Sequence, residues 1–138
     1  MIDRQQLDVS SLRKSIISLN ESIIEYHKNP ANSFVRDAAI HRYKYTYEIS
    51  RKMLKRYLET TEPCAEEMNQ MEFPNLIRTG SERGLLLHCW DIWKIYRNAR
   101  NITSYTYDEN KAVEICGIIP GFLEDSQYLL DQINERIE

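Results

Sequence analysis

Between Ser33 and Tyr57, apolar and small side chains recur every three or four residues, at Val35, Ala39, Tyr43, Tyr47, Ser50, Met53, Leu54 and Tyr57. That period lays them along one broad face of a long α-helix, which serves as the spine of the domain. Its stripe needs partners, and three other stretches supply them. A first helix opens near Ser10 or Ser11, either of which can cap it, and carries Leu12, Ile16, Leu19, Ile23 and Tyr26. It stops at His27, Lys28, Asn29 and Pro30, where lysine suits the negative helix end and proline blocks continuation. From Leu86 to Asn101 the period returns in Leu86, Cys89, Trp90, Trp93 and Tyr96, a stripe expected to pack on the second helix. The last helix opens after Thr106 and runs through Ala112, Val113 and Ile115 to Gly117, Pro120 and Gly121, which should kink or interrupt it. A final segment carries Phe122, Leu123, Leu129, Leu130, Ile133 and Ile137.

Between Glu59 and Gly84 the pattern weakens around Pro63, Pro74, Gly80 and Gly84, with short helices at Ala65–Gln70 and Pro74–Arg83. The stretch is neither low in complexity nor Gly/Ser-rich, and so reads as a structured crossover. No stretch reads as a strand. The fold expected is an all-α helical bundle forming one domain over residues 1–138.

Composition narrows the function classes. With 138 residues and 42% hydrophobic content, the chain can bury one core without disulfides or metal. Eighteen basic residues against 21 acidic ones give a net charge of −3, which argues against holding nucleic acid by bulk electrostatics. Cys64, Cys89 and Cys116 are odd in number and widely separated, so no disulfide framework, zinc site or other cofactor is expected. No signal-peptide pattern opens the sequence and no apolar run approaches a membrane span, so a soluble, cytoplasmic protein is expected.

Most charges of the second helix, Arg36, Asp37, His41, Arg42, Lys44 and Glu48, read as a solvated face with pairs such as Lys44 to Glu48. Arg36 and His41 are five apart on one unbroken helix and do not share a face. Tyr43, Tyr45, Tyr47 and Tyr57 read first as core packing, although phenols at a cleft edge can stack a base. His88 has no second ligand at metal spacing and is left out of the site.

Chemistry concentrates in YRNARNITSYTYDE, from Tyr96 to Glu109. Thr106 and Glu109 have the spacing of a capping box, which would place Tyr107 in the first helical turn. Free amides and the positive helix end beside its phenol would then favour a phosphate or a developing phenolate. Arg100, one turn earlier, offers a forked cationic donor. On physics alone, a helix–helix corner with a buried aromatic plug accounts for the same residues.

FVRDAAIHRYKYTYEIS in the second helix and RNITSYTYDE at the corner resemble the HEPN-like nucleotidyltransferase substrate-binding proteins, a likeness that extends to helix order, the kinked last helix and length. The resemblance implies an up-and-down bundle of four to five main helices, a homodimer, and a complex with a minimal nucleotidyltransferase encoded nearby. Some HEPN members are metal-independent ribonucleases with the motif Arg-x4-His-x-Tyr. This chain reads Arg100-x4-Tyr105-x-Tyr107, so Tyr105 stands where the catalytic histidine belongs. A phenol, ionising near pH ~10, is a poor substitute for an imidazole that exchanges protons near neutrality. His27, His41 and His88 all precede Arg100, so no shift of register restores the motif. In related toxin–antitoxin pairs the nucleotidyltransferase adds AMP to the tyrosine matching Tyr107, a role that needs no histidine. The expected function is therefore a non-catalytic, nucleotide- or substrate-binding subunit. Arg100, Asn101, Ser104, Tyr105, Tyr107, Arg36, Asp37 and Arg42 are its candidate binding or modified residues. The alternative is a ribonuclease toxin acting on RNA with a degenerate motif.

Overall fold

The computed structural model describes residues 7–63 and 65–137. Six α-helices follow one another among them, and no strand does: α1 Ser10–Lys28, α2 Ser33–Thr61, α3 Ala65–Gln70, α4 Phe73–Glu82, α5 Trp90–Asn101 and α6 Glu109–Ile137. A 3-10 turn, Thr103–Tyr105, links α5 to α6. Helices α1, α2 and α6 pack on one another, α5 lies against α6 and α2, and the short α3 and α4 cover one end of α2.

The helical stripes read from sequence form the core. Leu12, Ile16, Leu19, Ile23 and Tyr26 of α1 are buried, as are Ala39, Tyr43, Tyr47, Ser50, Met53, Leu54 and Tyr57 of α2. Phe122 sits at the aromatic centre, edge-on to Tyr43, Tyr96 and Trp93 at centroid distances of 5.0, 5.3 and 6.0 Å. Such edge-to-face contacts add to what burial alone contributes. The Tyr43 hydroxyl donates to the Tyr96 carbonyl at 2.6 Å, tying α2 to α5 without leaving a buried polar group unpaired.

Several local readings change. Neither Ser10 nor Ser11 caps α1. Ser10 is the first helical residue, and the Asp8 carboxylate accepts from its amide at 2.8 Å. Helix α2 is capped by Asn32 and continues past Tyr57 to Thr61. The helix expected from Leu86 starts at Trp90, because Gly84 turns the chain at φ +75° and buried Leu85 and Leu86 anchor it before the helix begins. Cys89 is accordingly exposed, off the apolar face. Pro120 does not interrupt α6, which is helical from Glu109 to Ile137. Proline removes one amide donor, and fully buried Ile119 and Phe122 hold the turn on either side of it.

Candidate functional site

The corner between α5 and α6 is built differently from the capping box. Asp108, not Thr106, caps α6: its Oδ1 accepts from the amides of Asn110 at 3.0 Å and Lys111 at 3.3 Å. An acidic side chain one residue before the helix suits both the free amides and the helix dipole, and here it occupies the donors that a phosphate would have used. Tyr107 therefore precedes the cap and lies outside the first helical turn. Its side chain is carried into solvent, with the residue 84% exposed. Tyr105 is also exposed, its ring 6.2 Å from that of Tyr107 and covered by the Lys111 ammonium at 4.5 Å. The aromatic groups at the corner are thus displayed and not a buried plug. Lys111 brings a cation beside them that sequence reading passed over, although its place one helical turn beyond Tyr107 was a usable signal.

Arg100 ends α5 and turns toward α2, where its Nε donates to Glu48 Oε1 at 2.8 Å. Glu48 also accepts from Arg51 Nη2 at 3.2 Å, so it serves two arginines from opposite oxygens and is not paired with Lys44. Burial pushes the Glu48 carboxyl up, but the hydrogen bonds from Arg100 and Arg51 outweigh it and hold the group below the usual carboxylate range. Among the described residues no hydrogen bond joins Arg100 to Tyr105 or Tyr107.

The remaining candidates divide. Asn101 and Ser104 are exposed at the same corner. Arg36 reaches it from α2, its Nη1 3.8 Å from Glu109, and with a side chain only 12% exposed it does not belong to a solvated face. Arg42 does not come to the corner. It turns to α1, donating to the Ser18 carbonyl at 2.8 Å beside Glu21. Asp37 is exposed on α2.

A polar cluster absent from the sequence reading joins α5 to α6. Asp125 of α6 is fully buried and accepts from the Tyr96 hydroxyl and from His88 Nδ1, at 3.0 and 3.1 Å to its two oxygens. His88 is therefore a structural partner of a buried carboxylate. Burial, the hydrogen bond to Asp125 and its charge all drive the Tyr96 phenol far above its ordinary value. No group of three or more potential metal ligands occurs among the described residues, and none of their helices is long and apolar enough to cross a membrane.

The helix order, the arginine at the end of α5 and the displayed tyrosine pair before α6 define a HEPN-like bundle. Residues 7–135 match the sequence pattern of the family described as nucleotidyltransferase substrate binding protein like, and the chain belongs to that family. It is 32% identical over 146 residues to a protein named probable ribonuclease HepT from Haemophilus influenzae, across 99% of this chain and 97% of that one. It also superposes with a TM-score of 0.86 and 27% identity on the Haemophilus influenzae protein HI0074. That protein is described as showing the fold of a substrate-binding domain of a nucleotidyltransferase, and the match covers 92% of this chain and 99% of that one.

Proposed function

We propose that the chain is a non-catalytic, nucleotide- or substrate-binding subunit that dimerises and works with a minimal nucleotidyltransferase, and that Tyr107 is the AMP acceptor. The observation that carries this reading is the exposure of Tyr107 on a turn ahead of the α6 cap, where a partner's active site has access to the phenol. In the reaction, the Tyr107 oxygen bonds the α-phosphorus of ATP and the α–β phosphoanhydride bond breaks. Pyrophosphate leaves, and the phenolic proton passes to a base of the partner. Lys111 beside the tyrosine pair supplies positive charge for the phosphate that arrives. The acquired phosphodiester at this corner is the toxin–antitoxin switch in this reading.

For the homodimer, an open groove of about 790 Å³ between α1 and α6 offers an apolar face, with Ile17, Ile24 and Leu87 exposed on it. Co-expression with a minimal nucleotidyltransferase and ATP tests the proposal: a stable complex and a chain heavier by one AMP are expected. Absence of both a complex and AMP would overturn it.

A second reading, a ribonuclease toxin, is favoured by the name of the relative that matches nearly the whole chain. In that reading Arg100 polarises the scissile phosphate while Tyr105 replaces histidine. Incubation of the pure protein with RNA separates the two, since cleavage abolished by Arg100→Ala supports the toxin and intact RNA supports the binding subunit.

A further inference from the structure

We infer that Arg51 and Arg100, which share Glu48, and Arg97, one helical turn before Arg100 on α5, form a binding site for the oligophosphate chain of a nucleotide. This rests on the nucleotide-binding reading and gives that ligand a location on the chain.

Glu48 fixes two of the three guanidinium groups, Arg100 through Oε1 and Arg51 through Oε2. Each arginine donates only one N–H to it, and a guanidinium carries five, so both keep donors for another acceptor. Arg97 lies one turn before Arg100 with its guanidinium carbon 4.8 Å above the centre of the Trp90 ring. Its Nε is buried without a hydrogen-bond partner, and among the described residues no carboxylate lies within ion-pair distance of it. Arg36 Nε and Trp93 Nε1 are unpaired as well, but Arg36 has Glu109 as an ion partner and Trp93 carries no charge, which leaves Arg97 as the cation available to an incoming acceptor.

Arg51 and Arg100 meet at Glu48, and Arg97 is the i−3 neighbour of Arg100 on the same helix. The Tyr47 phenol beneath them is pushed up to about 12 by burial and by Glu48, while Arg51, Arg97 and Arg100 all pull against that rise. Two guanidinium groups paired to one carboxylate, with a third unpaired one turn away, leave a local excess of positive charge on a chain whose net charge is −3. So compact a cluster matches one short phosphate chain held by forked donors better than it matches a polynucleotide, which needs charge spread along a track. Glu48 keeps the arginines ordered before the ligand comes, which lowers the entropy lost on binding.

The test titrates the isolated protein with inorganic tripolyphosphate and with ATP, by calorimetry and by the fluorescence of Trp90 and Trp93. Saturable binding of both is expected. Arg51→Ala and Arg97→Ala should each weaken it about tenfold or more, the loss expected for one charge-assisted hydrogen bond. Arg78→Ala, on an exposed turn of α4, should leave it unchanged. The Arg51 side chain is partly exposed, at 42%, and lies outside the core, so its variant keeps the fold and remains informative even where Arg97→Ala does not. Arg51→Lys should recover part of the affinity. Three results would overturn the inference: no saturable binding, unchanged affinity in Arg51→Ala, or tight binding of an RNA oligonucleotide that ATP fails to displace. Because no nucleotidyltransferase is present, a failure to modify Tyr107 leaves this measurement standing, and a failure here leaves Tyr107 as acceptor open to its own test.

Discussion

Replacing Asp125 with alanine should be among the most destabilising single changes in the molecule. The carboxylate is 0% exposed and receives the Tyr96 hydroxyl and His88 Nδ1. Truncating it strands the Tyr96 hydroxyl in the core, where it has no water to turn to, and leaves a small void beside it. His88, with its side chain 44% exposed, can rehydrate and contributes less to the loss. Leaving a buried hydroxyl without its acceptor costs about 1–3 kcal/mol, and the void adds to that, so a loss of about 3 kcal/mol is expected. With unfolding entropy of about 2.1 cal/mol/K per residue, a domain of this length has roughly 0.3 kcal/mol/K, so Tm should fall by about 10 °C. Asp125→Asn keeps the volume and one acceptor oxygen, and should lose less. His88→Ala should lose about 1 kcal/mol, or about 3 °C. Differential scanning calorimetry of the three variants measures this. A drop of under about 2 °C for Asp125→Ala would refute the view that this carboxylate organises the α5–α6 contact.

Two further outcomes follow from the geometry. Asp108→Ala should lower stability by about 1 kcal/mol, or about 3 °C in Tm, while Thr106→Ala should leave it unchanged; thermal melts of the pair identify the residue that caps α6. Alkaline titration should show delayed ionisation of Tyr43, Tyr47 and Tyr96, whose phenols are raised chiefly by burial. Because the folded state holds these protons more tightly than the unfolded chain, the associated stability is complete below pH ~10 and is lost as the pH rises through the folded values. Tyr47 responds near pH 12, and the tyrosinate absorbance of the group should appear together with loss of helical circular dichroism.

The helices were legible because their stripes are local and periodic: every buried position named on α1 from sequence, Leu12 to Tyr26, points into the core. The capping box was not. Thr106 and Glu109 have the right spacing, but the helix starts two residues later than that box requires, at Glu109, and the Asp108 side chain takes the Asn110 and Lys111 amides. The α5 start failed because Leu86 and Cys89 mimic a helical period while Gly84 and the extended Cys89 set the chain direction. Glu48 as the partner of Arg100, and Asp125 as the partner of His88, are separated from them by 52 and 37 residues. No periodicity encodes such pairs, since they depend on which helix faces lie opposite one another. Arg36 and Arg42, six residues apart on α2, part company for the same reason: one meets α6 and the other meets α1.

The central claim is that the tyrosine ahead of α6 receives AMP. Co-expression of the chain with a minimal nucleotidyltransferase, followed by peptide mapping by mass spectrometry, tests it directly. One AMP per chain is expected, on the peptide containing Tyr107, and none in Tyr107→Phe. An unmodified Tyr107 in a stable complex supplied with ATP, or AMP that moves to Tyr105 with no loss in Tyr107→Phe, would contradict it.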